Sequence, residues 1–200
     1  VSKLNTDSWD DAKLLSLLRQ GNEEAFRVLV QKYQARLFRT AYGITYNKEE
    51  SAEIVQEVFL KVWENLHTFR EESKLSTWLY RITVNLCLNW KRTWKRRFRQ
   101  YHQPLENPDG SEIPELRNDE DHPESLLQQK EQEKMLWEKI GLLPEDARAI
   151  LVLKECEGLS YEDIADLLKI KKGTVSSRLF YARQKLRDLL KDYFDEKEGA

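Results

Sequence analysis

The sequence predicts an all-α fold built as two small helical units joined by an acidic tether. Three observations carry that reading. Apolar residues recur three and four apart through most of residues 9–90 and 126–190, and no segment alternates with period two for long enough to make a strand. Four of the five prolines fall between residues 101 and 124, together with Gly110 and no apolar period. Charge divides along the same lines: net +6 in residues 1–100, −7 in 101–125 and −1 in 126–200. The overall −2 in 200 residues is a cancellation between blocks, and such blocks mark partners. The expected organisation is therefore 1–100, a linker over 101–124, and 125–200.

The helices follow in order. Ser8 is positioned to cap a first helix with Trp9, Ala12, Leu15 and Leu18 on one face, ended by Gly21. Asn22 caps a second, with Glu23 and Glu24 in the first turn, where the helix dipole favours anions. Its stripe is Phe26, Leu29, Val30, Tyr33, Leu37 and Ala41. Asn47 and Glu50 have capping-box spacing before a third helix, whose wide apolar face is Ile54, Val55, Val58, Phe59, Val62, Trp63 and Leu66. The polar segment 67–76 reads as a loop. A fourth helix starts near Ser76 or Thr77, carries Leu79, Ile82, Leu86 and Trp90, and runs into the basic stretch 91–99.

Beyond the linker, Leu126–Gly141 forms a helix with Met135, Trp137 and Ile140 as core. Pro144 takes the first helical position of the next, which has Ala147, Ile150 and Leu151 inward, Lys154's stem along its face and Gly158 at its end. Ser160 caps a short helix bearing Ile164, Ala165, Leu167 and Leu168. After the turn Lys169–Lys172, Gly173 and Thr174 open a long last helix with Val175, Leu179, Ala182, Leu186, Leu189 and Leu190.

Several function classes are excluded. No apolar run reaches the roughly 18 residues of a membrane span, and the first residues carry no apolar signal region. Cys87 and Cys156 read as isolated, buried free thiols of a reducing compartment, so the expected location is cytoplasmic. His67, His102 and His122 lie outside metal-ligand spacing, no glycine-rich phosphate loop occurs, and no nucleophile–base–acid set assembles. Acidic groups such as Glu71-Glu72 and Asp119-Glu120-Asp121 read as solvated surface. The expectation is no enzyme, no metal and no cofactor.

Two segments point to nucleic acid. Residues 160–190 have the short helix, tight turn and second helix of a helix-turn-helix, with Ala165 at the crossing and Ile170 and Val175 beneath the turn. This leaves Thr174, Ser176, Ser177, Arg178 and Tyr181 on the first turns of the second helix. Serines are poor helix-interior residues against water but good donors to phosphates and base edges. Lys171 and Lys172 sit at the positive end of that helix, a conflict that a phosphate would relieve. An ordinary helical hairpin with a basic surface has the same spacing. The stretch 91–99 holds six basic residues in nine, with Trp94 and Phe98 between them. It suits phosphates and stacked bases, or equally a solvated helix end with its two rings tucked inward.

The residues at this point resemble a family. Leu143-Pro144-Glu145, Leu159-Ser160-Tyr161-Glu162-Asp163-Ile164-Ala165 and Gly173-Thr174-Val175-Ser176-Ser177-Arg178-Leu179 resemble region 4 of extracytoplasmic-function (ECF) sigma factors. Ala52–Trp63 resembles their region 2.2, and Leu75–Leu86 their regions 2.3–2.4. Two blocks in the family's order make the match more specific than a lone helix-turn-helix. The resemblance implies a transcription-initiation factor: a region 2 bundle over 1–100, a linker over 101–124 and a region 4 helix-turn-helix over 125–200. Its implied partners are core RNA polymerase (clamp and flap), promoter DNA and an anti-sigma protein.

By position, Glu53, Gln56, Glu57 and Lys61 would bind the polymerase. His67, Lys74, Ser76, Asn85, Asn89, Lys91 and Arg92 would meet the −10 element, with a flipped base in the loop 67–76. Lys171, Lys172, Thr174, Ser176, Ser177, Arg178 and Tyr181 would meet the −35 element. The chain departs from the family at Lys169, where glycine is frequent, at Ser176 and Tyr181, where arginine is frequent, and at Ser76, where a basic residue is common. A stand-alone helix-turn-helix regulator would explain 160–190 but not the helix 49–66. A helical adaptor would explain neither basic segment.

Overall fold

The computed structural model describes residues 9–69, 73–98 and 123–198, with side chains over 9–69, 73–91 and 131–191. The described residues form helices and turns, with no strand among them. Four helices make the N-terminal half: α1 (Asp11–Arg19), α2 (Glu23–Thr45), α3 (Lys48–Asn65) and α4 (Leu75–Phe98). Four more make the C-terminal half: α5 (Pro123–Gly141), α6 (Glu145–Leu151), α7 (Tyr161–Leu168) and α8 (Lys172–Glu198). The expected linker falls largely outside the described residues, as does Ser8. α5 begins at Pro123, three residues before its expected start.

Helix starts follow the capping residues. Asp10 caps α1 by accepting from the Lys13 N–H at 2.7 Å, two residues later than the cap expected at Ser8. Asn22 accepts from Ala25 N–H at 3.0 Å and Asn47 from Glu50 N–H at 2.9 Å. Glu50's carboxylate bonds Trp90 of α4, so the side chain expected to complete the α3 capping box ties two helices together. A full capping box stands at α7, where Ser160 Oγ accepts from Asp163 N–H at 3.0 Å and Asp163 accepts from Ser160 N–H. Pro144 is the N-cap of α6, one position before its expected place.

α2 lies at the centre of the N-terminal half and packs on α1, α3 and α4. Leu29, Tyr33, Leu37 and Ala41 are buried, as their stripe requires. In the C-terminal half, α8 packs on α5, α6 and α7, with Val175, Leu179 and Ala182 inward. α6 runs into a π-helical turn over Val152–Cys156, closed by Gly158 at φ +69°. The wider turn shifts the register by a fraction of a residue. Cys156 is thereby exposed, contrary to expectation, and the acidic Glu157 is buried. Cys87 is buried, which pushes its thiol up to about 12.

The two halves share one continuous apolar core. α2 packs on α6 and the π turn, and α4 packs on α7. No described helix is long and apolar enough to cross a membrane.

Candidate nucleic-acid interface

α7, its turn and α8 form the predicted helix-turn-helix. The N–H of Ile170 donates to Ala165 O at 3.0 Å, and Lys169 takes the left-handed conformation at φ +55°. Ala165 and Val175 are buried and Ile170 half-buried, so the turn is seated as expected. At 100° per residue from the buried Val175, the outermost line of α8 runs through Gly173, Ser177, Phe180 and Gln184, flanked by Ser176 and Tyr181. Phe180 is 65% exposed and Tyr181 50%.

The expected −35 residues therefore divide. Ser176, Ser177 and Tyr181 lie on or beside this crest and are exposed. Thr174 is half-buried at its edge. Arg178 points sideways and pairs with Asp146 of α6 at 2.9 Å. Lys172 pairs with Glu162 of α7, and that ammonium holds the Glu162 carboxyl below its usual range. The protein thus supplies its own anion beside Lys172 at the helix start, while Lys171 stays exposed. Phe180 and Gln184 were missed from the sequence, although counting helical phase from Val175 finds both.

On α4, Asn85 and Asn89 are exposed on one face, with Arg81 one turn before them as an unanticipated third member. Lys91 is turned well away from this face. Its side chain is 12% exposed and paired with Glu145, the first residue of α6. Arg92 and the other side chains of 92–99 lie outside the described residues. His67 and Lys74 are exposed and Ser76 is half-buried, around a segment anchored by the buried Phe69. The Phe69 ring packs at a tilt of 39° against Trp78, 5.0 Å between centroids, and its carbonyl accepts from Arg19 at 2.9 Å. Leu66–Thr68 forms a 3₁₀ turn, and α4 begins at Leu75, so the loop is shorter than the expected 67–76.

α3 presents a third face. Glu53, Gln56 and Glu57 are exposed, and Glu57 pairs with Lys61 at 3.3 Å. Leu60 stands among them at 64% exposure. Trp63, expected in the core, is 49% exposed and leans edge-on against Phe26 at 5.1 Å. Its phase lies at the rim of the apolar face, so one side of the ring packs and the other meets solvent. An apolar centre ringed by charges is the anatomy of a protein-docking surface.

No group of three or more metal-ligating side chains is assembled among the described residues.

Comparison with known proteins fits this geometry. Residues 29–97 match the Sigma-70 region 2 family and residues 133–186 match Sigma-70, region 4. An ECF RNA polymerase sigma-E factor of Haemophilus influenzae is 35% identical over 180 residues, covering 89% of this chain and 94% of the relative. An RNA polymerase sigma-H factor of Pseudomonas aeruginosa is 34% identical over 186 residues, covering 93% and 96%. Among solved structures, the sigma factor RpoE of Bartonella quintana, in complex with the anti-sigma factor NepR, shares the fold. Its TM-score is 0.62 at 23% identity, over 82% of this chain and 96% of that one. Sigma factors are initiation factors and not enzymes, which accords with the expected lack of a catalytic centre. The chain belongs to the ECF family of RNA polymerase sigma factors, alternative sigma factors for transcription initiation.

Proposed function

We propose that the chain docks on core RNA polymerase through α3 and reads a promoter through two separate surfaces, acting in the cytoplasm. Glu53, Gln56, Glu57 and Lys61, centred on Leu60 and edged by Trp63, form the polymerase face. The segment around His67, Lys74 and Ser76, with Asn85 and Asn89 and the flanking Lys91 and Arg92, forms the −10 surface. The crest of α8, with Ser176, Ser177, Phe180, Tyr181 and Gln184 and the neighbouring Lys171, Lys172, Thr174 and Arg178, forms the −35 surface. Residues 1–100 and 125–200 are then the two functional units, and 101–124 is the tether between them.

One observation carries this reading. The crest of α8 exposes two serine hydroxyls, an amide and two aromatic rings, one of them a phenol, on a helix of major-groove width. Serine and glutamine donate to base edges and phosphates, and an aromatic ring meets thymine methyl groups. The occurrence of an anti-sigma factor with the similarly folded RpoE supports an anti-sigma partner here too.

Run-off transcription with core enzyme tests the proposal. Promoter-specific transcripts are expected only when core and this chain are both present. A chain that binds duplex DNA but neither binds core nor directs it would be the stand-alone regulator instead.

A further inference from the structure

Residues 126–200 carry a net charge of −1, although they hold the helix-turn-helix. Proteins that grip DNA by its backbone cluster cations on the gripping side. The cations are present on α8, but three of them are matched by acids from the elements that support it. Arg178 Nη1 lies 2.9 Å from Asp146 Oδ2 of α6. Arg183 Nε donates to Glu155 Oε1, in the π turn, at 3.0 Å. Lys172 pairs with Glu162 of α7. None of the six side chains is buried; each is 39–63% exposed. Exposed pairs of this kind contribute little to stability, so the fold does not depend on them.

Their placement follows the crest. Counted round the helix from the inward Val175, Lys172 and Arg183 lie about 60–80° away on one side and Arg178 about 60° away on the other. The outward line through Ser177, Phe180 and Gln184 runs between them. A helix that lays its crest on base edges in the major groove turns its two flanks toward the phosphates of the two strands. The three paired cations are the ones whose long side chains reach out along those flanks. Glu162 and Glu155 on one flank, and Asp146 on the other, each hold a nitrogen that a phosphate would take.

A cation already matched by a carboxylate attracts a distant phosphate weakly, because the two fields cancel beyond the size of the pair. When a phosphate does take the cation, the carboxylate stays within a Debye length (about 10 Å at 0.1 M salt) of the DNA and repels it. The sequence-independent pull is therefore cut. The serine hydroxyls, the Gln184 amide and the rings of the crest carry no charge, so their contacts with base edges are unaffected.

We propose that Asp146, Glu155 and Glu162 are specificity-determining residues: they screen the flanks of α8 from the phosphate backbone, so that recognition of the −35 element rests on the crest. This rests on the −35 reading above and states how that surface discriminates.

Duplex binding by the full chain over a range of salt concentrations tests it. One probe is a mixed-sequence duplex, and the other is the upstream segment of a start site mapped with core enzyme. The triple variant Asp146→Asn, Glu155→Gln, Glu162→Gln frees three cations and keeps the side-chain shapes. On the mixed-sequence duplex its log–log salt slope should steepen by about 2–3, at about 0.9 per phosphate engaged, and its affinity at about 50 mM salt should rise about tenfold or more. On the promoter segment the gain should be smaller. Base contacts fix one pose there, whereas a sliding chain settles on its best phosphate contacts. Preference for the promoter segment should then fall about threefold or more. Glu155→Gln alone, which touches no helix cap, should give about a third of the steepening. The control Glu23→Gln, Glu49→Gln, Glu64→Gln makes the same change in net charge at exposed acids of α2 and α3, and should shift the slope by less than about one. Melting temperatures should stay within a few degrees of the wild type throughout. An unchanged slope in both Glu155→Gln and the triple variant overturns the proposal, as does an equal gain in the control. A wild-type chain with no preference for the promoter segment refutes the −35 reading, and the screen with it. A wild-type chain that has the preference, with variants that leave the slope unmoved, refutes the screen alone.

Discussion

Replacing Lys169 by glycine is expected to stabilise the chain. Lys169 ends α7 at φ +55°, ψ +46°, inside the turn that sets the angle of α8. A side chain in this left-handed region costs about 1–2 kcal/mol, because Cβ crowds the following carbonyl. Glycine removes that cost but loses about 0.4–1 kcal/mol through the greater freedom of its unfolded chain. The net gain is therefore about 0.5–1 kcal/mol. For a chain of this size that is about 1–4 °C in Tm, or about 0.3 M in urea midpoint at an unchanged slope of about 2–3 kcal/mol/M. Lys169→Ala is the control. It removes the same exposed charge, close to Lys171 and Lys172, but keeps a Cβ at positive φ, and it should stay within about 0.5 kcal/mol of the wild type. If alanine stabilises as much as glycine, charge and not backbone strain governs the site.

Ser160→Ala removes the α7 capping box and should cost about 1 kcal/mol in thermal or urea melts; an unchanged midpoint contradicts the cap's role. Leu60→Asp should leave stability within about 0.5 kcal/mol, because the side chain is exposed, yet weaken binding to core polymerase tenfold or more in a competition assay. Wild-type affinity would remove Leu60 from the docking face. Phe180→Ala should cost about 1–3 kcal/mol in affinity for the −35 element and leave binding of a −10 single strand unchanged; equal losses on both would show a general folding defect. Burial and the carboxylates of Asp11 and Glu157 hold the phenols of Tyr33 and Tyr80 above their ordinary range, and burial pushes Tyr42 up to about 12. These raised values contribute stability that is complete below the ordinary phenol pKa of about 10 and is lost as pH rises through the folded values. Melts from pH 9 upward should show that decline, and Tyr80→Phe should flatten it.

Most of the fold was legible because its causes are local. Asn22, Asn47 and Ser160 cap where the sequence placed them, Gly21 and Gly158 end helices at positive φ, and the α2 stripe is buried except at Phe26 and Val30, which are half-buried. The misplaced details share another cause. Cys156 missed its expected burial, and Glu157 beside it is buried, because a π turn shifted the register, and five residues of sequence do not announce a wider turn. Trp63 and Leu60 needed only a stricter count of helical phase, as did Phe180 and Gln184. The opposed orientations of Asn85 and Lys91 follow from the same count. The seam between the two halves was not legible at all. Arg148 and Glu157 look like ordinary surface charges until α2 and α4 are laid against them, and the placement of one half on the other leaves no periodic trace.

As read under the proposed function, this chain directs core RNA polymerase to a two-part promoter. Mapping the 5′ ends of transcripts made in vitro by core enzyme plus the chain tests it most directly. Discrete start sites are expected, each preceded by two shared elements about 25 base pairs apart (roughly 85 Å at 3.4 Å per step), and lost when Leu60→Asp blocks docking. Transcripts no different from those of core enzyme alone would contradict it.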